Sequence, residues 1–197
     1  MTFPGLRITG PHPGPYVLGD PIHVLDGTTH LGLLQRVSMN ASGGELLLED
    51  FVTTDLALVR SRRLTRLIMV EVLSFFVERY PSVSAIGIVL SADVEVIEGA
   101  PGGPAKLASV REQLLQSVGA DNIRITPKPH PRYAAHFAVS GIWPYNRDNA
   151  QTLAAALQAE RAAYAARLAA LAAAVNNSAN EASAPRSMLS RLLAKDR

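Results

Sequence analysis

Hydrophobic positions between residues 22 and 59 fall into three runs that are separated by two turns. Asp26 and Gly27 stand between the first two runs, which is typical of a β-hairpin. The second turn, at 40–44, contains two glycines and leads into a third run that is long enough for one bent strand. The pattern therefore predicts a three-stranded antiparallel meander over 22–59.

The strongest helical pattern of the body follows at 62–80 and ends before a proline. Its apolar residues occupy almost every helical face, which indicates a helix packed between two layers. Residues 83–94 form a predicted strand in which the run Ile86–Leu90 does not alternate, as expected of a central strand covered on both faces. We expect Phe75 and Ile86 to be buried between this helix and the sheet.

A second helix and two closing strands complete the predicted body. The helix is expected over 105–119, and the strands over 123–129 and 134–145. The apolar face of the helix consists of Leu107, Val110, Leu114 and Val118. We expect this face to pack on the sheet.

An alanine-rich segment at 148–175 is predicted to be one long helix, because alanine has the highest helix propensity. Its narrow apolar stripe consists of Leu157, Tyr164, Leu168, Leu171 and Val175. A helix of about 40 Å with such a stripe commonly packs along a partner helix, so we expect a homodimer through it. The alternative is a monomer in which the helix folds back over its own sheet.

The two ends of the chain differ in composition from the body at 22–147. Residues 1–21 are rich in proline and glycine, which favours an extended arm with at most a short strand. Residues 176–197 are of low complexity and are expected to be disordered. The chain is thus predicted to be one domain with an arm in front and a helix and tail behind.

Composition excludes several classes of protein. The 197 residues have a mean hydropathy of +0.12 and include no cysteine, which argues against a disordered chain, a disulfide scaffold and a thiolate metal site. The sequence shows no secretory leader and no apolar run of about 18 residues, so we expect a cytoplasmic protein without membrane contact. The five histidines have none of the spacings typical of zinc sites, and we expect no metal.

The order of these elements predicts an α/β fold with a mixed sheet, in which an antiparallel meander feeds a β-α-β unit. At this point the chain resembles the GNAT superfamily of N-acetyltransferases. The resemblance covers about residues 22–145 and rests on element order and on the stretch LALVRSRRLTRLIMVEVLSFFVERYPSVSAIGIVLS. It implies acetyl-coenzyme A or another acyl-coenzyme A as co-substrate and an amine as acyl acceptor.

In that family the loop before the central helix has the pattern Gln/Arg-x-x-Gly-x-Gly/Ala and holds the pyrophosphate of the coenzyme. Here the six positions of the pattern, and the residue after them, are Arg60, Ser61, Arg62, Arg63, Leu64, Thr65 and Arg66. Arg63 and Thr65 stand where the family has glycine. Arginines at a helix start oppose the macrodipole, and a bound polyanion would compensate them. The alternative is that these arginines extend to water or pair with Glu49, Asp50 and Asp55.

Acyl transfer to an amine needs a base for the attacking ammonium and a proton donor for the leaving thiolate. The family often uses a glutamate on the central strands as the base. Glu49 and Asp55 are six apart on the predicted strand and share a face unless a bulge intervenes. The family donor is often a tyrosine after the second core helix; the helix here contains none, and Tyr133 and Tyr145 follow further on. The resemblance thus makes Glu49, Asp55 and Tyr133 the candidate catalytic residues.

Other functions stay open beside the acyltransferase. A non-catalytic module of the same fold would contact other proteins through the long helix and the aromatic residues near Phe137 and Trp143, although these two aromatics also suit a sheet–helix interface. A nucleic-acid accessory protein would use the arginine cluster, but a net charge of +2 argues against a nucleic-acid partner. The sequence does not decide whether the chain is an enzyme.

Overall fold

The computed structural model describes residues 5–91, 101–130 and 133–183, with the side chains of 130, 133–135 and 177–183 excepted. These residues form seven strands and four helices. The strands are β1 (Arg7–Thr9), β2 (Ile22–Asp26), β3 (Thr29–Met39), β4 (Glu45–Thr53), β5 (Ala85–Leu90), β6 (Asp121–His130) and β7 (Tyr133–Pro144). The helices are α1 (Leu56–Ser61), α2 (Thr65–Arg79), α3 (Gly103–Ser117) and α4 (Arg147–Ser183).

All seven strands belong to one sheet with the order β1-β2-β3-β4-β5-β7-β6. β4 and β5 pair in parallel, and every other neighbouring pair is antiparallel. The predicted mixed α/β fold, with a meander that feeds a β-α-β unit, is confirmed. The arm contributes the short edge strand β1, as expected.

The third predicted strand is shorter than its hydrophobic run. β4 ends at Thr53, and residues 56–61 form the helix α1 instead of continuing the strand. The Asp55 carboxylate accepts a hydrogen bond from the Leu58 backbone N–H at 2.8 Å and so caps the helix. Aspartate is among the preferred N-cap residues, because its oxygen satisfies an N–H that the helix itself leaves unpaired.

One face of the sheet carries the core. Leu46, Ile86 and Trp143 lie side by side across β4, β5 and β7 and are 0–1% exposed. α2 and α3 cover this face, and α4 packs against α2. On the opposite face Leu47 and Ile142 are 36% and 40% exposed. The expectation that β5 is covered on both faces is therefore wrong; its lack of alternation reflects Gly87, where a side chain would press on Leu47.

The central helix α2 is buried on most of its surface, as its pattern predicts. Ile86 is buried as expected, but the buried aromatic residue is Phe76 and not Phe75. Consecutive residues point about 100° apart on a helix, so Phe75 turns from the sheet toward the arm. There it contacts the ring of Tyr16 edge-on, and Arg79 lies over its other side at 4.8 Å.

The alanine-rich helix α4 is longer than predicted and runs to Ser183, so the expected disorder is wrong for residues 176–183. The rest of the expected disordered tail, 184–197, lies outside the described residues. Its first half folds back on the body: Leu153, Leu157 and Tyr164 are buried. Its second half leaves Leu171 and Val175 exposed, at 52% and 68%. The predicted stripe is thus divided between the protein's own core and the surface, and the homodimer stays a prediction. Within the described residues, no helix has the length and apolar character to span a membrane.

Candidate functional site

A cavity of about 530 Å³ lies between the core face of the sheet and the helices α2 and α3. The sheet contributes Leu34 of β3, Leu48 of β4 and Ile88 of β5. Helix α2 contributes Ile68, Met69 and Val72, and α3 contributes Leu107, Val110 and Leu114. The walls are therefore aliphatic on three sides.

Helix α3 explains why this space is open. Its predicted apolar face does not pack flat on the sheet: Leu107 and Leu114 are half-buried, and Val110 is 47% exposed. The buried residues are Ala108 and Leu115, each one residue after a member of the predicted face, and Val118, for which the predicted burial is confirmed. Leu107, Val110 and Leu114 are thus turned toward the cavity, which makes the expectation of direct packing wrong for these three residues.

Basic side chains border the same cavity. Its lining includes Arg60 and Arg66 beside the start of α2, and Lys106 and Arg111 on α3. Among the described residues that line it, none is acidic. Clustered charges of one sign around a low-dielectric wall attract ligands of the opposite sign. The opening of the cavity therefore suits an anionic group.

The N-terminus of α2 opens at this border. Within the described part of the chain, no side chain caps the helix and its first turn holds no acidic residue. The first backbone N–H groups of a helix lack partners inside the helix and carry a positive partial charge. Thr65, the first residue of α2, lines the cavity. Arg63 has a φ of 53°, the left-handed conformation that glycine adopts most readily. Arg63 is the residue in the first glycine position of the family pattern.

The predicted arginine cluster is divided by its partners. Arg62 forms an ion pair with Asp26 at the end of β2. The hydroxyl of Tyr164 on α4 donates to the same carboxylate, and burial, followed by that hydrogen bond, raises the pKa of Tyr164 to about 12. Arg62 therefore holds the loop to the body, while the exposed Arg63 extends outward.

Arg66 is fixed in place from two sides. Its Nη1 lies 2.6 Å from an oxygen of Glu160 on α4, and its Nε and Nη2 donate to Ser117 at the end of α3. It thus links three helices at the border of the cavity. The alternative that the cluster pairs with Glu49, Asp50 and Asp55 is not what the structure shows for Arg62 and Arg66.

The predicted catalytic carboxylates do not lie together. Glu49 is 3.8 Å from Arg36, and Asp55 lies beyond the strand as the cap of α1. The backbone of β4 is irregular between them: Asp50 has a φ of 58°, and Leu48 and Phe51, three residues apart, both line the cavity, while the register with β3 continues without a shift. The structure does not place Glu49 or Asp55 in the cavity wall.

Asp50 is connected to the cavity wall through Ser91. It accepts a hydrogen bond from the Ser91 hydroxyl at 3.0 Å and pairs with Arg36 at 2.6 Å. Ser91 lines the cavity, just after the last paired residues of β4 and β5. One sequence signal marked this position, the adjacent acidic residues Glu49 and Asp50 between apolar residues of β4.

The remaining candidate residues have other surroundings. Tyr133 begins β7, six residues before Val139, and its side chain is outside the described residues. Trp143 is fully buried and its indole N–H donates to the Val118 carbonyl at 2.8 Å, as expected of an interface residue. Nδ1 of His23 and Nε2 of His30 are 2.9 Å apart across the β2–β3 hairpin. No group of three or more potential metal ligands occurs within the described residues.

Some solved structures are similar to this chain at low sequence identity. No family model and no curated protein sequence matches the chain. A crystal structure described as that of a candidate acetyltransferase aligns at 12% identity and a TM-score of 0.43, over 71% of this chain and 63% of that one. The chain thus spans less than two thirds of that protein's length.

Two further structures align with similar scores. One is a chimera of the spermidine N-acetyltransferase SpeG from Vibrio cholerae and hSSAT, with 12% identity and a TM-score of 0.41 over 68% of this chain and 70% of that one. The other is a protein of unknown function from Aquifex aeolicus VF5, with 15% identity and a TM-score of 0.41 over 81% and 80%.

Proposed function

We propose that the cavity binds an acyl-coenzyme A thioester and that the protein transfers its acyl group to an amine. The observation that carries the proposal is one site with two chemical characters, an aliphatic cavity and a cationic border without an acidic lining residue among those described. Coenzyme A thioesters have the same two characters, since they join phosphate groups to a long, largely uncharged chain. The element order that resembles the GNAT superfamily supports the same assignment.

The phosphates are proposed to lie at the border formed by Arg66, Lys106 and the first turn of α2. Arginine and lysine form charge-assisted hydrogen bonds with phosphate, and the uncapped N–H groups of a helix start add to them. Arg63 and Thr65 stand in the two glycine positions of the family pattern, and Thr65 lines the cavity. The left-handed φ of Arg63 supports this assignment, because glycine is the usual choice for that backbone shape.

In the proposed reaction, the lone pair of the amine nitrogen attacks the thioester carbonyl carbon. A C–N bond forms, the C–S bond breaks, the nitrogen loses a proton and the sulfur leaves as a thiolate that takes one up. We propose Asp50 as the acceptor of the amine proton, because its partner Ser91 lines the cavity. Glu49 and Asp55 are less suited, since neither they nor their described partners, Arg36 and Leu58, line the cavity. Tyr133 stays a candidate for the donor.

Calorimetric titration of the full chain with coenzyme A and acetyl-coenzyme A tests the binding. Lys106→Ala and Arg66→Ala should each raise the Kd about tenfold or more, because a hydrogen bond to a charged group contributes about 1.5–3 kcal/mol. Arg7→Ala is the matched control, since Arg7 is an exposed arginine on the edge strand β1. Absence of binding by both coenzymes would refute the proposal.

Release of free thiol in the presence of amines tests the transfer step. Asp50→Asn should lower the rate of thiol release while leaving the Kd of acetyl-coenzyme A nearly unchanged. A variant with unchanged rate would show that Asp50 has no part in proton transfer.

A non-catalytic binding module is the second candidate function. It is favoured by the fact that both carboxylates expected to act as bases have structural partners, Arg36 for Glu49 and the α1 backbone for Asp55. Coenzyme binding without thiol release toward any amine would favour this module. A nucleic-acid function gains no support, because the formal net charge is only +2, and Arg60 and Arg66 of the arginine cluster line one aliphatic cavity.

A further inference from the structure

We infer that the cavity takes an acyl chain of medium length, of about six to ten carbons, rather than an acetyl group alone. The inference rests on the proposed function and names the class of acyl group that the site selects. It is carried by the size of the cavity and by the distribution of polar and apolar residues along its wall.

The cavity is too large for a two-carbon group. An apolar cavity of about 150 Å³ is enough to hold a benzene molecule. The volume here is about 530 Å³. The coenzyme's arm would take the part of this space near the border, and an acetyl group would leave the aliphatic base without ligand contacts. Unfilled apolar space is unfavourable because its lining atoms lose dispersion interactions.

The wall is graded from a purely aliphatic base to a polar border. The buried lining residues, each 3–6% exposed, are Leu34, Leu48, Val59, Ile68, Val72 and Ile88. Each polar or charged lining residue in the described chain, by contrast, is half-buried or exposed. The deepest part of the cavity therefore offers no side-chain hydrogen-bond partner among these residues.

This gradient selects a hydrocarbon for the base. The coenzyme's own arm contains amide groups, and an amide buried without hydrogen bonds is strongly unfavourable. A saturated acyl chain has no such groups and gains from every methylene removed from water. The arrangement that satisfies both ends places the phosphates at Arg66 and Lys106 and the chain against Leu48 and Ile88.

Helix α3 forms one wall of the proposed site for the acyl chain, called the chain site below. Leu107 and Val110 line the cavity and are only partly covered by the protein itself, so a ligand can cover their remaining exposed surface. Exposed apolar surface beside a concave wall is typical of a ligand-binding groove. The apolar face of α3 is thus available to contact the acyl chain, because it does not pack on the sheet.

Titration of the full chain with acetyl-, hexanoyl- and decanoyl-coenzyme A tests the inference. Each methylene that enters the cavity should strengthen binding by up to about fourfold. We expect decanoyl-coenzyme A to bind at least about 100-fold more tightly than acetyl-coenzyme A. Free decanoate, which lacks the phosphates, should bind more weakly than the decanoyl thioester.

Two variants fill the chain site from α3. Val110→Trp and Leu107→Trp place a large ring in the cavity, and each should reduce the ratio of decanoyl to acetyl affinity at least tenfold. Ile125→Trp is the control, because Ile125 is 42% exposed on β6 and does not line the cavity. Thermal melting of each variant establishes that it is folded before its ratio is compared.

The outcomes separate this inference from the function on which it rests. Equal affinity for all three thioesters would overturn the chain site and leave the coenzyme site standing. Decanoate that binds as tightly as its thioester would contradict the role of the phosphates. If none of the thioesters binds, both proposals fail.

Discussion

Arg161 of α4 donates from Nε and Nη2 to both carboxylate oxygens of Glu71 on α2, each at 2.7 Å. Glu71 is only 4% exposed, and its Oε1 also accepts the backbone N–H of Leu6 at 3.2 Å. This bidentate pair therefore joins the arm, the central helix and the long C-terminal helix at one buried point. The hydrogen bond to Glu71 is also the main reason that the pKa of Arg161 is raised.

Removal of one partner of this pair should destabilise the fold strongly. Arg161→Ala leaves the Glu71 carboxylate buried without its counter-charge, and we expect the free energy of unfolding to fall by about 3–5 kcal/mol. Urea denaturation followed by circular dichroism measures the loss. Arg147→Ala, at the exposed start of the same helix, is the control and should change stability little.

The double variant Glu71→Leu with Arg161→Met separates charge burial from packing. Replacement of a buried ion pair by apolar residues of similar volume is often neutral. We expect most of the stability lost in Arg161→Ala to be recovered. A double variant as unstable as the single one would show that the pair matters through its shape and not through its charge.

Tyr164 should make the fold sensitive to alkali. Its pKa is raised to about 12, first by burial and then by its hydrogen bond to Asp26, whereas an unfolded tyrosine has a pKa of 10.0. A pKa that is higher in the folded state contributes stability that is complete below pH 10 and is lost as the pH rises toward 12. Burial also raises the pKa of Tyr16 to about 12, so Tyr16 should contribute a further loss of stability over the same pH range.

Chemical denaturation at pH 8, 10 and 11 compares the wild type with Tyr164→Phe. The variant should lose about 1.5–3 kcal/mol at pH 8, the usual contribution of a hydrogen bond to a charged group. Its stability should then depend less steeply on pH above 10, because one of the three tyrosines with a raised pKa is gone. A slope equal to that of the wild type would contradict the assignment to Tyr164.

Phe76 and Phe75 form a matched pair for the packing of α2. Phe76 is fully buried, so Phe76→Ala should lower the free energy of unfolding by about 3–5 kcal/mol. Phe75 is half-buried against Tyr16, and Phe75→Ala should cost roughly half as much. Thermal or urea unfolding ranks the two variants. A larger loss of stability in Phe75→Ala than in Phe76→Ala would contradict the assignment of Phe76 to the face of α2 that packs on the sheet.

The sequence predicted the elements whose patterns are local. The turn at Asp26 and Gly27, the helix that ends before Pro81 and the crossover to β5 depend on neighbouring residues, and all three appear as expected. The order of these elements was sufficient to predict a mixed sheet, because short connections and a crossover helix leave few topologies.

The candidate site was harder to predict, because it depends on what each face meets. A helical period shows that Leu107 and Val110 share a face, but not whether that face meets a sheet or a cavity. In the same way, the left-handed backbone at Asp50 changes which residues of β4 line the cavity, and an aspartate with a positive φ leaves no clear mark on hydrophobic alternation. Glu71 was hidden inside an apolar run, since its partner Arg161 is 90 residues away.

The outer half of α4 supports the expected homodimer, which we propose forms through that half alone. The residues from Leu168 to Asn180 include no charged side chain, although the helix is largely exposed from residue 169 to 176. Alanine side chains allow a second helix to approach closely, and Leu171 and Val175 lie four residues apart on one face. Burial of these two side chains against a second copy would remove apolar surface from water at about 25 cal/mol per Å².

Sedimentation velocity of the full chain tests this dimer. Leu171→Glu with Val175→Glu should convert the dimer to a monomer, because each pair of copies would bring four carboxylates into an apolar contact. Val17→Glu is the control, since Val17 is 62% exposed on the arm, far from α4 in sequence and outside the proposed contact. The buried first half of the helix, with Leu153 and Tyr164, should keep both variants folded. A full chain that sediments as a monomer would refute the dimer. A charged double variant that stays dimeric would show that the interface lies elsewhere, and the exposed sheet face around Leu47 would be the next surface to mutate.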